Sequence, residues 1–395
     1  IAANQDNPST GLTNFIASDY NTGWMVGAAK LATLSDTDTT NVTGAELVTG
    51  FVNGSTYAYD TLSTSGSTIS SAITDGSNFA GAASNAMSLT AGKQYTLSLS
   101  LTINSGATLT YVMFAQDQSG GGSLGLGNYL VNIGTGKHAL TFTAPSTGTY
   151  YLILQAGNGV TTNFTTGAVS VRIAESDRSV NGKGVQVFGT VTKTAVATGA
   201  DLVAYSGFST ANHLEQPYNS DLDFGTGDFM YSLWIYRNAL PTSTHERWFG
   251  TSATSSDERI DIFSNANTDN IAFYSLDGGL KGDIRITGIG IGVWHSIHCT
   301  RQANVYKIYH NGELKGTNVG SATLANYQGA SGNRRTHIGE ANHWDAGHPV
   351  NGKIALPKIS GTAPSAEQVA KMYNDEKFLF QPNAKATLHG TSDAV

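Results

Sequence analysis

The densest group of side chains that could bind a ligand or a metal lies between residues 337 and 348. It combines imidazoles, carboxylates and one indole: His337, Glu340, His343, Trp344, Asp345 and His348. Imidazole nitrogens and carboxylate oxygens bind divalent cations, whereas an indole ring offers a flat apolar face to a sugar ring. Because the spacing fits no defined zinc motif, we assign no metal and keep His337, Glu340 and His343 as metal-ligand candidates.

Five residues are candidates for contacts with a glycan: His343, Trp344, Asp345 and His348 in this segment, and Trp248. Trp248 follows His245, Glu246 and Arg247, so an aromatic ring stands beside hydrogen-bonding groups, as in many sugar-binding sites. Two alternatives stay open. The segment 337–348 could be a solvated loop or a contact between subunits, and Trp248 could simply cap the core.

The sequence lacks a pair of carboxylates spaced for cleavage of a glycosidic bond. Such cleavage needs one carboxyl group on each side of the bond that breaks. The nearest approach is the stretch 257–263, where a β-strand would place Glu258 and Asp261 on opposite faces. We therefore predict no catalytic residues and expect that the protein is not an enzyme.

Composition excludes several classes of partner for this 395-residue chain, in which 13% of the residues are charged and the formal net charge is −7. Nucleic-acid binding needs clustered Lys and Arg, which are missing, so we predict no nucleic-acid partner. No apolar run approaches the roughly 18 residues that span a bilayer, so we expect no membrane insertion. The single cysteine, Cys299, excludes an intramolecular disulfide. Since the chain begins at Ile1, we expect a processed or partial product.

Alternation of apolar and small polar residues predicts strands in both halves of the chain, most clearly at 95–103. Gly, Ser, Asn and Thr turns separate these stretches at the spacing typical of antiparallel sandwiches. We predict an all-β fold: two antiparallel β-sandwiches, or jelly rolls, in tandem, with one short C-terminal helix. The predicted order is a turn-rich segment at 1–43, a sandwich at 44–174, a connector at 175–200, a second sandwich at 201–376 and a tail at 377–395.

Local signals in the second half predict particular elements. The dipeptide Asn311-Gly312 supplies the two residues with positive φ that a type I′ hairpin needs. Ser365 and Gln368 form a capping box, which predicts a helix of about three turns to Glu376. Strands are predicted at 229–236, 259–263, 271–274, 283–287, 294–300 and 305–310.

Three segments of the second half carry a family resemblance. They are Leu-Asp-Phe-Gly-Thr-Gly-Asp-Phe-Met-Tyr-Ser-Leu-Trp at 222–234, the stretch 294–314 with its Trp-His start and Tyr-His-Asn-Gly turn, and the segments 337–340, 351–354 and 364–373. Together they resemble the laminin-G-like, concanavalin A-like jelly roll of lectins, pentraxins and phage tail fibres, over residues 201–376. Residues 44–174 resemble a carbohydrate-binding-module sandwich, through 46–51 and 89–97.

Further segments, at 23–27, 34–38 and 201–208, are similar to those of phage tail fibre or tail-tip proteins. The resemblance implies a receptor-binding subunit on the virion surface, outside the cell, that binds a bacterial surface polysaccharide for host adsorption. It also implies other fibre subunits as partners, in a homotrimer. Three alternatives stay open: an architectural fibre protein that binds no glycan, a depolymerase of capsule polysaccharide, and a bacterial surface adhesin.

The resemblance assigns no cofactor and leaves Ca²⁺ binding open. Many members of this family bind calcium, but the sequence departs from the family pattern at Ala355-Leu356 and at Asn311, where acidic residues are usual. The calcium ligands of the family are therefore not carried over to this chain.

Overall fold

The computed structural model describes most of the chain: residues 13–15, 29–31, 38–76, 79–119, 129–177, 182–242, 244–253, 258–320, 327, 334–342 and 345–387. The chain divides into two compact units, one formed by residues 44–175 and the other by residues 1–43 together with 176–395. Over the residues just given, the fold is mostly β with one short α-helix, as predicted. The first three strands in chain order are β1 (Thr13–Phe15), β2 (Ala29–Leu31) and β3 (Val42–Gly44).

The described part of the 44–175 unit consists mainly of antiparallel strands. They are β4 (Phe51–Asn53), β5 (Thr61–Ser65), β6 (Thr68–Thr74), β7 (Ala80–Ser84), β8 (Met87–Leu89), β9 (Gln94–Gly106), β10 (Leu109–Ala115), β11 (Tyr129–Ile133), β12 (Gly136–Thr143), β13 (Gly148–Ala156), β14 (Thr162–Thr166) and β15 (Ser170–Glu175).

These strands form two sheets that enclose an apolar core. One sheet has the order β11-β10-β13-β7-β4. The other is built around β9, which pairs with β12 on one side and with β14 and β15 on the other. Alternation along β9 buries Leu97, Leu99 and Leu101. Rings of Phe114 and Phe142 meet between the sheets, with centroids 4.1 Å apart.

The second unit contains the remaining strands and the helix. The strands are β16 (Val185–Ala195), β17 (Val203–Ser206), β18 (His213–Gln216), β19 (Phe229–Arg237), β20 (Glu246–Ser252), β21 (Glu258–Ser264), β22 (Ile271–Asp277), β23 (Leu280–Ile286), β24 (Trp294–Gln302), β25 (Val305–His310), β26 (Glu313–Val319), β27 (Arg335–Ile338), β28 (Gly352–Ser360) and β29 (Lys385–Thr387). A short 3-10 helix spans Ser220–Leu222. The α-helix α1 spans Ala366–Glu376, and a second 3-10 helix spans Lys377–Phe380.

Two antiparallel sheets of this unit face each other. The front sheet has the order β16-β18-β27-β20-β21-β22-β23, and the back sheet has the order β17-β28-β19-β24-β25-β26. Tyr231 of β19 and Phe249 of β20 meet between them, with ring centroids 5.4 Å apart. The core of the unit therefore lies between the front and back sheets, and the predicted strands at 229–310 correspond to β19 and β21–β25.

The structure confirms both local signals. Asn311 and Gly312 have φ values of 51° and 80° and connect β25 to β26. Ser365 Oγ accepts the Gln368 backbone N–H at 3.3 Å, and Gln368 Oε1 accepts the Ser365 N–H at 2.8 Å. Val369 and Met372 of α1 pack on the outer face of the back sheet. Within the described residues, no helix is long and apolar enough to cross a membrane.

Removing the capping hydroxyl should weaken α1 measurably. We expect Ser365→Ala to lower the free energy of unfolding by about 1 kcal/mol, because one N-terminal N–H group loses its acceptor. Urea unfolding of the two proteins measures the difference. A change below about 0.3 kcal/mol would show that the capping box adds nothing to the docked helix.

Two segments differ from the predicted organisation. The predicted connector at 175–200 contains β16, an 11-residue strand that pairs with both β17 and β18. The predicted tail at 377–395 begins inside the fold, since Leu379 is fully buried and the Phe380 ring stacks on Trp234 at 4.1 Å. In the first segment, Val185, Val187 and Val191 are compatible with an edge strand, which is where β16 lies. The tail has no such pattern, and its contact with Trp234 joins residues far apart in the chain.

Candidate functional site

The candidate site lies on the outer face of the front sheet, which we define by Arg247, Asp261, Phe263, Tyr274 and Arg285. Along β21 and β22, alternation sends Ile260, Ile262 and Phe273 towards the core and the intervening residues outwards. Register brings the outward residues side by side, because Arg247 pairs with Phe263, Asp261 with Tyr274, and Ala272 with Arg285. Charged and aromatic side chains thus meet on one surface.

Arg247 is the centre of a charged network on this surface. It donates from Nη1 to Asp261 Oδ2, and its Nε and Nη2 lie 3.1 Å and 2.5 Å from Asp345 Oδ2. His348 Nε2 lies 3.2 Å from Asp345 Oδ1. His337 Nε2 lies 3.4 Å from Asp261 Oδ1. Residues that are almost 100 positions apart are therefore held together by a single guanidinium group.

The network holds Asp261 in its charged form. Burial alone would raise the pKa of Asp261, but Arg247 and His337 outweigh it and lower that pKa to about 2. Burial raises the pKa of Glu340 to about 7, although the backbone N–H groups that donate to this carboxylate lower it. Burial also lowers the pKa of His245, and the nearby Arg247 lowers it further. At neutral pH, Asp261 is therefore ionised and His245 is neutral.

Aromatic rings form a row beside the network. The centroids of His245 and Phe263 are 5.5 Å apart, and those of Phe263 and Tyr274 are 6.1 Å apart. Guanidinium groups lie against these rings: Arg247 Cζ is 4.8 Å from the Phe263 centroid and Arg259 Cζ is 4.8 Å from the Tyr274 centroid. Tyr274 and Arg259 are half-buried, so both reach the solvent. Phe263 and Arg247 are buried, so Tyr274 and Arg259 supply ring area and planar hydrogen-bond donors that a ligand can reach.

Trp248 does not reach this surface, and its predicted contact with a glycan is wrong. Its side chain is completely buried, and its Nε1 donates to Ser264 Oγ at 2.7 Å. A β-bulge between Arg247 and Phe249 turns both Trp248 and Phe249 towards the core. The alternative interpretation, that Trp248 packs in the core, is the one that the structure supports.

Of the six remaining candidates, the structure brings two together, buries two and does not describe two. Asp345 and His348 come together beside Arg247, half-buried, as described above. His343 and Trp344 lie outside the described residues. His337 and Glu340 are fully buried: His337 faces Asp261, and Glu340 Oε1 accepts the Ala341 N–H at 2.9 Å.

The described residues do not include all of the metal-ligand candidates. Among the residues that the structure describes, no group of three or more His, Cys, Asp or Glu side chains is placed to hold a metal ion. His343, the third metal-ligand candidate, is not one of those residues. A site for Ca²⁺ or another cation therefore remains a prediction from the sequence.

Sequence reasoning missed Arg259, Phe263, Tyr274 and Arg285. The signal for the first two was available, because residues two and four positions apart in a strand share a face and Arg259, Asp261 and Phe263 have this spacing. No local pattern shows that β22 and β23 lie next to β21 in a register that adds Tyr274 and Arg285 to the same surface.

This chain is similar to several solved structures. Structures that match include the binding domain of paraclostridial mosquitocidal protein 1, with 16% identity over 51% of this chain and 49% of that chain and a TM-score of 0.38. Domain 4 of an extracellular arabinanase from Geobacillus stearothermophilus, in complex with arabinotriose, matches with 20% identity over 47% and 82% of the two chains and a TM-score of 0.36.

A carbohydrate-binding module of a Ruminococcus gnavus sialidase, bound to α2,3-sialyllactose, matches with 12% identity over 38% and 84% of the two chains and a TM-score of 0.33. This chain spans about half the length of the mosquitocidal binding domain. Among curated proteins, no sequence matches this chain. Residues 208–370 match the model of the concanavalin A-like lectin/glucanases superfamily, which confirms the jelly-roll domain predicted for this part of the chain.

Proposed function

We propose that the second unit binds a glycan on the outer face of its front sheet and does not cleave it. The observation that carries this proposal is the row of His245, Phe263 and Tyr274 with guanidinium groups against two of its rings. A sugar ring has apolar C–H faces and equatorial hydroxyl groups. Aromatic rings contact the former and guanidinium groups hydrogen-bond to the latter, and Tyr274 and Arg259 reach the solvent and can make these two kinds of contact.

The loop that carries Asp345 and His348 borders this surface. Arg247 holds Asp345 by two donors, so the carboxylate keeps one position, and its pairing with His348 orients the imidazole as well. Such preorganisation lowers the entropic cost of ligand binding, since few side chains need to be fixed when the sugar arrives. The same loop is a candidate glycan contact on sequence grounds.

The charge states support binding without cleavage. A glycosidase needs one protonated carboxyl group near neutral pH and a second carboxylate within reach of the same bond. Asp261 is ionised, fully buried and paired with Arg247. Glu258 lies on the other face of β21, where its Oε1 is 3.5 Å from Arg334 Nε. Glu340 has a pKa of about 7 but is fully buried in its own loop.

The biological setting that we propose follows from the sequence resemblance. It is a subunit of a phage fibre or tail tip, present as a homotrimer on the virion surface, that adsorbs to a bacterial surface polysaccharide. Single sugar sites are weak, and several copies on one fibre would supply the avidity for stable adsorption. The competing proposals are an architectural fibre protein, a capsule depolymerase and a bacterial surface adhesin.

A glycan array tests the binding proposal. We expect Tyr274→Ala to weaken binding of the best glycan about tenfold or more, a loss of about 1.4 kcal/mol, because the ring row loses a member that reaches the solvent. Tyr236→Ala is the matched control, since Tyr236 is also half-buried but belongs to the back sheet. Trp344→Ala examines the indole that the sequence predicts to contact the sugar.

Three results would count against the proposal. If the native protein binds no glycan, the architectural alternative is favoured. If both tyrosine variants bind as tightly as the native protein, the outer face is not the site. Release of reducing ends from a bound polysaccharide would favour the depolymerase instead.

A further inference from the structure

A cleft opens at the edge of the second unit, where β23 of the front sheet meets β25 and β26 of the back sheet. Its volume is about 420 Å³, and it is lined by Arg285, Ile286, Thr287, His310 and Lys315. Two of these side chains are cations and one is a hydroxyl. Arg285 also borders the outer face, because its Cζ lies 6.0 Å from the centroid of the Phe263 ring. The cleft thus continues the proposed glycan surface around the sheet edge.

A histidine pair sets the hydrogen-bonding character of one wall. His295 Nε2 lies 3.1 Å from the Gly290 carbonyl oxygen, which can only accept, so this nitrogen carries a proton. His295 Nδ1 is then an acceptor, and it lies 2.9 Å from His310 Nε2, which must donate. Burial lowers the pKa of His295, and burial together with His295 lowers the pKa of His310 to about 4. Both rings are therefore neutral at neutral pH, and His310 Nδ1 is left as an acceptor.

The two cations are held by partners that they can exchange. Arg285 donates from Nε and Nη2 to the carboxylate of Asp283, each at 3.0 Å, and Lys315 Nζ lies 2.6 Å from Glu313 Oε2. The side chains of Arg285 and Lys315 are 45% and 41% exposed. Exposed ion pairs contribute only about 0–1 kcal/mol, so a ligand carboxylate can replace or share either partner at small cost.

We propose that this cleft binds the carboxylate of an acidic sugar in the glycan that the outer face holds. Arg285 and Lys315 donate to the carboxylate, Thr287 Oγ1 and His310 Nδ1 are placed for ring hydroxyl groups, and Arg285 joins the cleft to the ring row. The inference rests on the proposed function and narrows it, since it assigns the glycan to the uronate or sialate class rather than to neutral polysaccharides.

Site-resolved NMR with two simple sugars tests this inference. The probes are sodium glucuronate and methyl glucoside, which share a pyranose ring and differ in charge, added to the whole chain at millimolar concentrations. We expect glucuronate to shift the ring resonances of His310, and methyl glucoside to leave them in place. Lys315→Gln and Arg285→Gln should each weaken the glucuronate response about fivefold or more, and added salt should weaken it as well.

Lys371→Gln is the matched control, because Lys371 is an exposed lysine that also pairs with an acidic neighbour, Asp375, but lies on α1. It should leave the glucuronate response unchanged. The inference is overturned if the two probes act alike, if neither moves His310, or if Lys371→Gln weakens binding as much as Lys315→Gln.

The glycan array separates this inference from the proposed function. If the protein binds only neutral glycans and Tyr274→Ala abolishes this binding, the outer face is supported as the glycan site and the acidic-sugar cleft is ruled out. If His310 responds to glucuronate but no glycan is bound on the array, the cleft stands and the proposed function falls. If the native protein prefers uronate or sialate glycans and Lys315→Gln removes this preference, both the cleft and the proposed function are supported.

Discussion

Replacing Asp261 with Asn should lower the free energy of unfolding by about 3 kcal/mol, a large effect for a substitution that changes the side-chain volume so little. Asp261 is fully buried between Arg247 and His337. Without the Asp261 charge, the remaining ion pair between Arg247 and Asp345 is partly exposed, and the cation stays largely buried beside the core. Chemical unfolding at neutral pH, followed by tryptophan fluorescence, measures the loss.

The lowered pKa of Asp261 also predicts that the protein loses stability in acid. This pKa is about 2 in the folded protein and about 4 in an unfolded chain. A depressed pKa contributes stability above the unfolded value, and this contribution disappears as the pH falls from about 4 to about 2. The native protein should therefore lose about 2 kcal/mol over this range, and Asp261→Asn should lack this part of the pH dependence.

Asp375→Asn is the control for both measurements, because Asp375 pairs with Lys371 on the exposed side of α1. We expect it to change stability by less than about 0.5 kcal/mol. If Asp261→Asn is as mild as this control, the charged network does not hold the outer face in place, and the preorganisation proposed for Asp345 loses its basis.

Lys358→Met should also lower the free energy of unfolding by about 3 kcal/mol or more. Lys358 Nζ lies 3.1 Å from Glu376 Oε1, and Trp234 Nε1 donates to Glu376 Oε2 at 2.5 Å. The side chains of Lys358 and Glu376 are only 2% and 6% exposed. Removal of the lysine leaves a buried carboxylate at the end of α1, where the helix dipole is also negative.

A double substitution makes this prediction sharper. Lys358→Met combined with Glu376→Leu removes both charges, and we expect it to recover most of the lost stability, because an apolar pair is often as stable as a buried ion pair. Lys371→Met on the exposed face of α1 is the control for the loss of a lysine. A double variant as unstable as Lys358→Met alone would show that the damage comes from packing rather than from an uncompensated charge.

The elements that the sequence predicts well are those whose causes are local. Alternation identifies a strand because each residue reports its own face, and the hairpin at Asn311 and the cap at Ser365 each depend on four or fewer consecutive residues. These features do not depend on the identity of the partner strand. The jelly-roll fold of the second unit followed from the same patterns together with the family resemblance.

The site was predicted less completely, because its pairs join distant residues. Glu246 and Arg247 made the neighbourhood of Trp248 look exposed, yet both are buried. Arg247 can be buried because Asp261 and Asp345, 14 and 98 residues away, neutralise its charge. A charged residue in the sequence therefore does not indicate an exposed position when a counter-ion from a distant part of the chain neutralises it. Tyr274 and Arg285 were missed for a related reason, since register across the sheet, rather than sequence spacing, places them beside Phe263.

A crystal structure of the protein soaked with the best glycan from the array would show where the sugar binds and whether it stays intact. We expect an uncleaved oligosaccharide against Tyr274 and Arg259 on the outer face of the front sheet, with an acidic residue reaching Arg285 and Lys315. A sugar bound only to the 44–175 unit would contradict the assigned site, and a cleaved glycosidic bond on the outer face would contradict binding without catalysis.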